Sequence, residues 1–243
     1  MKRLRLLTAV AGLALAVAPA RAASPPWSII GSTTGRLWQA TRELPRAAIV
    51  HWRVTLPLVA GTAALIAFGD QRLSNQIQSP RLERSSRIWS DRGLLFIEPG
   101  FVLTAAAVED RCLFCAETGR FALVTLTAEA YNTAAVQAIK FAGGRERPYT
   151  PGDPDGGFNE SGSSFPSGHA VGAFTMAALL ARHDSQAAWF NRGAWLLAGG
   201  VSGLRFTAKE HFPSDLLVGA ALGAYLGAHA APGTTPGTAT GSP

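Results

Sequence analysis

Apolar residues run in blocks along this chain and do not alternate with polar ones. The blocks are Leu6 to Ala18, Val54 to Gly69, Leu94 to Ala107, Phe121 to Lys140, Ala170 to Ala181, Gly193 to Leu204 and Leu216 to Ala228. They are rich in Ala and Leu, poor in β-branched residues, and hold no sustained period of two, so they read as helices. In the fourth block Leu123, Leu126, Ala130, Ala134 and Ile139 recur at helical spacing. The pattern predicts an all-α chain, a compact bundle of about six helices with its active site at helix ends. Pro99-Gly100 interrupts the third block, and Pro25-Pro26 argues against helix at the start of the lead-in, where Leu37 to Leu44 forms at most a short amphipathic helix. Gly143 to Gly162 reads as a loop, and no internal repeat is present.

The first block has a different meaning. Lys2, Arg3 and Arg5 precede it, and Ala20-Arg21-Ala22 follows with the small-x-small pattern of a signal-peptidase site. Residues 1–22 are therefore expected to be an export signal, with a buried helix or an uncleaved anchor as the other readings. The expected layout is then a lead-in over 23–53, a helical domain over 54–230, and a Gly/Thr/Pro tail over 231–243 of low complexity, expected to be disordered. The expected location is the exported side of the cytoplasmic membrane, either periplasmic or on that membrane's outer face.

Composition sharpens this picture. Hydrophobic residues make up 47% of the 243 and charged residues 16%, which excludes intrinsic disorder and points to a membrane-associated or unusually apolar helical protein. The formal charge of +6 and a pI near 10.0 invite a nucleic-acid reading. Four of the 22 basic residues lie in the signal, however, and no basic stripe with interleaved aromatics remains, so nucleic acid is not an expected partner. Val54 to Gly69 and Leu216 to Ala231 fall short of the ~18–20 residues of a spanning helix, and the mean hydropathy of +0.15 is modest. A soluble bundle and a membrane bundle both stay open. The Arg-rich stretch from Gln71 to Arg92 reads as a solvated face or as a surface resting on anionic headgroups. Cys112 and Cys115 form a lone C-x-x-C with no second pair for a metal, leaving a local disulfide or two thiols.

The chemistry lies in three clusters. Lys140, Arg145, Arg147 and Pro148 stand where a helix gives way to a loop. Pro166-Ser167-Gly168-His169 immediately precedes a helix, and Arg205, His211 and Asp215 flank the start of the last one. Singly these are weak signals, since a cation beside a glycine-rich loop is ordinarily a solvated charge and Ser-Gly-His is often only a cap. Together they suit a phosphoryl group. Lys140, Arg147 and Arg205 can neutralise a tetrahedral oxyanion. The N–H groups of Ser167, Gly168 and His169 at a helix start can donate to it, with the helix dipole adding positive charge. His211 and Asp215, four apart, share a helix face, so the carboxylate can orient the imidazole. Arg145 is expected to face the loop or to meet a second substrate charge.

Taken in order, Lys-x6-Arg-Pro, Pro-Ser-Gly-His and Arg-x5-His-x3-Asp resemble the three-part signature of the type 2 phosphatidic-acid phosphatase superfamily. That superfamily includes class A acid phosphatases, lipid phosphate phosphatases and vanadium haloperoxidases. Leu204 departs from the Ser usual before the Arg, which costs a hydroxyl contact but no charge. The resemblance implies a metal-independent phosphatase acting on phosphomonoesters or lipid-linked phosphates. His211 would be the nucleophile forming a phosphohistidine, Asp215 its orienting carboxylate, and His169 the general acid and then base. Lys140, Arg147, Arg205, Ser167 and Gly168 would hold the phosphate oxygens. No cofactor is expected. Vanadate enters only under the haloperoxidase alternative, against which the short chain argues, and a non-catalytic helical membrane protein is the third reading. Gly219, Gly223 and Gly227 line one face of the last helix, suiting close packing in the bundle or a homodimer face.

Overall fold

The computed structural model describes residues 25–109, 115–150, 156–159, 161–183 and 188–231. The signal, Cys112 and positions 232–243 of the tail lie outside the described residues. Among those described there are seven helices and no strand: α1 Pro26–Val50, α2 Trp52–Ser74, α3 over 80–109, α4 Ala116–Gly143, α5 Gly168–Arg182, α6 Ala188–Thr207 and α7 Pro213–Ala230. The all-α expectation holds, with one helix more than expected.

The additional helix is α1. Pro26 sits in its first turn, where a missing N–H costs nothing, so Pro25-Pro26 starts a helix instead of preventing one. Thr33, Leu37 and Ala40 are buried, and Thr41 meets the Tyr131 hydroxyl at 2.8 Å. Arg36 donates to the Ala230 carbonyl at 2.8 Å, a cation on the C-terminal end of α7. The bundle thus begins at Pro26, within the stretch expected to be a lead-in.

The stretch from Gln71 to Arg92 keeps Arg72, Arg81, Arg84, Arg87 and Arg92 exposed, as a solvated face would, while a narrow face of α3 packs inward. Ser79 caps α3 by accepting from the Leu82 N–H at 3.3 Å, with Pro80 next. The helix then passes through a π-helical turn at Gly93–Ile97 and on to Glu98–Glu109, so Pro99 does not break it. Ser86 and Ser90 are buried against α6, with Thr207 bonded to the Ser86 hydroxyl at 2.7 Å.

The core is built on α5, buried from Ala170 to Leu180 apart from Phe174. Gly219, Gly223 and Gly227 of α7 face it, and a methyl group at Gly223 would come within 2.2 Å of the Val171 carbonyl. The glycine stripe therefore serves close packing inside the bundle, and a homodimer through that face has no room. By contrast, α2 is barely packed. Val54, Leu56, Val59 and Phe68 are more than half exposed, and its most apolar 18-residue window has nothing buried.

Candidate active site

The groups singled out in the sequence meet at one end of the bundle. Helix α4 closes at Gly144, whose left-handed φ of 52° lets its N–H reach back to the Lys140 carbonyl at 2.9 Å. That stop leaves Lys140 in the last turn and throws Arg145 and Arg147 into the loop beyond. Ser167 caps α5, and Arg205 stands in the last turn of α6. Pro213 opens α7, and the Asp215 side chain accepts from the Phe212 N–H at 2.9 Å.

Lys140, Arg147, Gly168, His169, Arg205 and His211 line one cavity of about 370 Å³. Ser167 and Asp215 are not in that lining. Ser167 is fully buried, and its N–H donates to the Asp215 carbonyl at 3.1 Å, so the anion contact expected of it is already committed elsewhere. The first-turn donors left to face the cavity are those of Gly168 and His169. Asp215 lies behind His211, with Oδ2 3.7 Å from Nδ1. This is too long for a hydrogen bond. The same oxygen accepts from Ser164 Oγ at 2.5 Å. With Nδ1 facing Asp215, Nε2 is the free nitrogen of His211. The Nε donor of Arg205 is buried with no partner among the described residues.

The PAP2 superfamily model matches residues 121–234, which carry all three clusters. That segment is similar to the PAP2 superfamily. The transmembrane PAP2 type phosphatidylglycerolphosphate phosphatase from Bacillus subtilis shares the fold: TM-score 0.50, 21% identity, covering 72% of this chain and 90% of that one. LpxE of Aquifex aeolicus is also similar, with a TM-score of 0.46, 24% identity and coverage of 66% and 91% respectively. No curated protein matches the chain.

Several ionisable groups of this site are displaced from their ordinary behaviour. Burial drives the His211 pKa down to about 3, outweighing the opposite pull of Asp215, so its imidazole is neutral at physiological pH. Burial would raise Asp215, but His211, Arg145 and Ser164 together hold it below the usual carboxylate range. Lys140 is pushed down to about 8, first by burial and then by Arg147. His169 is lowered by burial, against which its bond to Asp91 works.

Asp91, on α3, is one of the residues that motif reading missed. Its Oδ1 sits 2.9 Å from His169 Nε2 and 3.1 Å from the Arg205 guanidinium. Glu210 is another, paired to Arg87 at 2.7 Å, to Arg205 at 3.0 Å and to Arg147. Arg145 meets the loop, as one of its two readings has it, through an Nε donation to the Gly156 carbonyl at 3.1 Å, but it does not line the cavity and so meets no substrate charge. At 1% exposure it donates to Asp215 Oδ1 at 2.6 Å, Asp70 Oδ2 at 2.8 Å and Ser214 Oγ at 2.7 Å, between the rings of Phe158 and Phe212. Only an acid ahead of the first motif at unknown distance could have hinted at Asp91 or Asp70, and sequence spacing carries no such signal.

Asp91 favours the protonated form of His169, the form in which that imidazole can donate a proton. The Asp91→Asn variant is therefore expected to shift the alkaline limb of the kcat/KM–pH profile for phosphomonoester hydrolysis to lower pH. Its activity at the acidic plateau should change less than its activity at neutral pH. A profile displaced only vertically would contradict this.

Proposed function

We propose that this protein is a membrane-associated phosphatase that hydrolyses lipid-linked phosphomonoesters through a phosphohistidine on His211. The observation that carries the reading is the shared cavity: a neutral imidazole and a second histidine stand beside three buried or half-buried cations, with the unpartnered Arg205 Nε among them.

In the first step the lone pair of His211 Nε2 attacks phosphorus. A P–N bond forms as the P–O bond to the leaving group breaks, and His169 gives that oxygen its proton. Asp215 stabilises the positive charge growing on the imidazole. In the second step the now neutral His169 takes a proton from water as the water oxygen attacks phosphorus; the new P–O bond forms while the P–N bond breaks, its electron pair returns to His211 Nε2, and inorganic phosphate leaves. Lys140, Arg147, Arg205 and the start of α5 bear the equatorial oxygens throughout. Positioned acid–base chemistry supplies ~10²–10⁴-fold of the rate, and the cations do the charge neutralisation for which other phosphatases use a metal.

The lipid class is supported by α2. A helix of 23 residues, with an 18-residue window of mean hydropathy 1.4 that is nowhere buried, suits a bilayer. Trp52 and Arg53 at its start are residues that settle at a membrane–water boundary. The Bacillus subtilis protein of the same fold is itself described as transmembrane, and an exported location follows from the N-terminal pattern.

Membranes washed without detergent and then solubilised provide the test. The protein is expected in the membrane fraction, releasing phosphate from phosphatidate and acquiring an acid-labile, base-stable label at His211 when quenched in turnover. Recovery in the soluble fraction would overturn the membrane assignment. Absence of phosphate release from both phosphatidate and para-nitrophenyl phosphate would overturn the enzymatic one.

A further inference from the structure

The cavity does not end at the cationic cup. It continues inward between α4 and α5, past Val136 and Gly168, to Gly172 on one side and Asn132 and Glu129 on the other. The four residues from Gly168 to Gly172, at ~1.5 Å of rise each, put this floor about 6 Å below the cup. Gly172 makes the space: a methyl group there would come within 2.8 Å of Glu129 Oε2.

Two oxygens at the floor, Asn132 Oδ1 and Glu129 Oε1, are buried with no hydrogen-bond partner among the described residues. Asn132 is only 2% exposed, and its orientation follows from its neighbours. The Thr175 hydroxyl spends its proton on the Gly223 carbonyl at 3.1 Å, so toward Asn132 it can only accept, at 2.7 Å from Nδ2. The amide oxygen is thereby the free end. Buried acceptors left unpaired are costly, and a pair of them in a cavity wall fits a ligand that brings donors. The lining sets Arg87, Lys140, Arg147 and Arg205 against Asp91, Glu129 and Glu210, a mixed field in which neutral hydroxyl groups need no counter-charge.

We propose that this slot is a leaving-group subsite for a short polyol, with Asn132 and Glu129 accepting hydrogen bonds from its hydroxyls. The inference rests on the phosphatase reading of the cup and adds a preference, among its substrates, for phosphomonoesters of hydroxyl-bearing headgroups over phosphatidate.

Two non-hydrolysable ligands test it: 3,4-dihydroxybutylphosphonate and butylphosphonate, which differ only in the hydroxyls. Each is titrated calorimetrically into the full-length protein in detergent. Wild type is expected to bind the dihydroxy compound ~10-fold more tightly. In Glu129→Met and Asn132→Leu that preference should fall to about 1, with butylphosphonate affinity unchanged. Should Asn132→Leu fail to fold, Glu129→Met decides alone. Equal binding of the two ligands by wild type overturns the subsite and leaves the cup intact. An equal loss of both ligands in the variants marks a structural role and also overturns the subsite. Binding of neither ligand to wild type refutes the phosphate cup and the subsite with it.

Discussion

The His211→Ala variant is expected to lose ~10⁴-fold or more in phosphate release from a lipid phosphomonoester, the combined cost of a missing nucleophile and its paired acid–base step. The fold should survive. Asp215 does not depend on the imidazole: Arg145, Ser164 and the Phe212 N–H hold both of its oxygens without it. Removing a neutral ring therefore exposes no unpaired charge, only a small cavity beside the cup. Circular dichroism of the variant should match wild type, and the acid-labile label should vanish. Retained turnover, or a label that persists, would show that some other group attacks phosphorus. The neutrality of His211 adds a further check. With its pKa near 3, the rate should show no titration of the nucleophile at neutral pH, so any limb there belongs to His169 or, near 8, to Lys140.

Arg145→Ala is expected to have the largest effect on stability. The guanidinium joins Asp215 to Asp70, and all three are 1% exposed or less. Deleting it leaves two carboxylates buried and facing the same space. Breaking a buried ion pair from one side costs about 3–5 kcal/mol. Denaturant titration of the solubilised protein should register that loss. In wild type Asp215 titrates below the usual carboxylate range, so its stabilising contribution is full at neutral pH and disappears as pH falls through that lowered pKa. The variant should consequently show a weaker acid dependence of stability as well as a lower midpoint. Arg145→Lys retains the charge but not the fork, and should recover only part of the loss. A midpoint unchanged in Arg145→Ala would mean that Asp70 and Asp215 are satisfied by other means.

The contrast between these two residues shows what could be read from the chain. His211 was legible because its neighbours in sequence are its neighbours in space: four residues separate it from Asp215, and one helix start holds both. Gly168 and His169 were legible for the same reason, their position at a helix N-terminus being a local property. Lys140 and Arg147 also flank a local event, the left-handed stop at Gly144. Arg145 stands between them, and its contact with the loop at Gly156 is local, but its two ion pairs are not legible in sequence. Its partners, Asp70 and Asp215, come from α2 and α7, and no spacing rule connects residues brought together only by packing. Asp91 is not legible for the same reason: the Arg-rich segment does expose its arginines, but which of its faces docks on α6 is set only by packing. Ser167 shows the reverse error: its backbone N–H was counted as free because the Asp215 carbonyl that accepts it is distant in sequence.

By itself the sequence determined the helical class, the family motifs, and the identity of the groups that line the cup, because helix periodicity and helix ends are encoded within a few consecutive residues. The tertiary structure decided which charges meet which. It set Asp91 on His169, Glu210 among three arginines, Arg145 behind Asp215, and the unpaired oxygens of Asn132 and Glu129 at the floor of the slot. Those outcomes depend on which helix faces dock together, and that is settled by burial over the whole bundle, with the glycine stripe of α7 drawing it tightly onto α5.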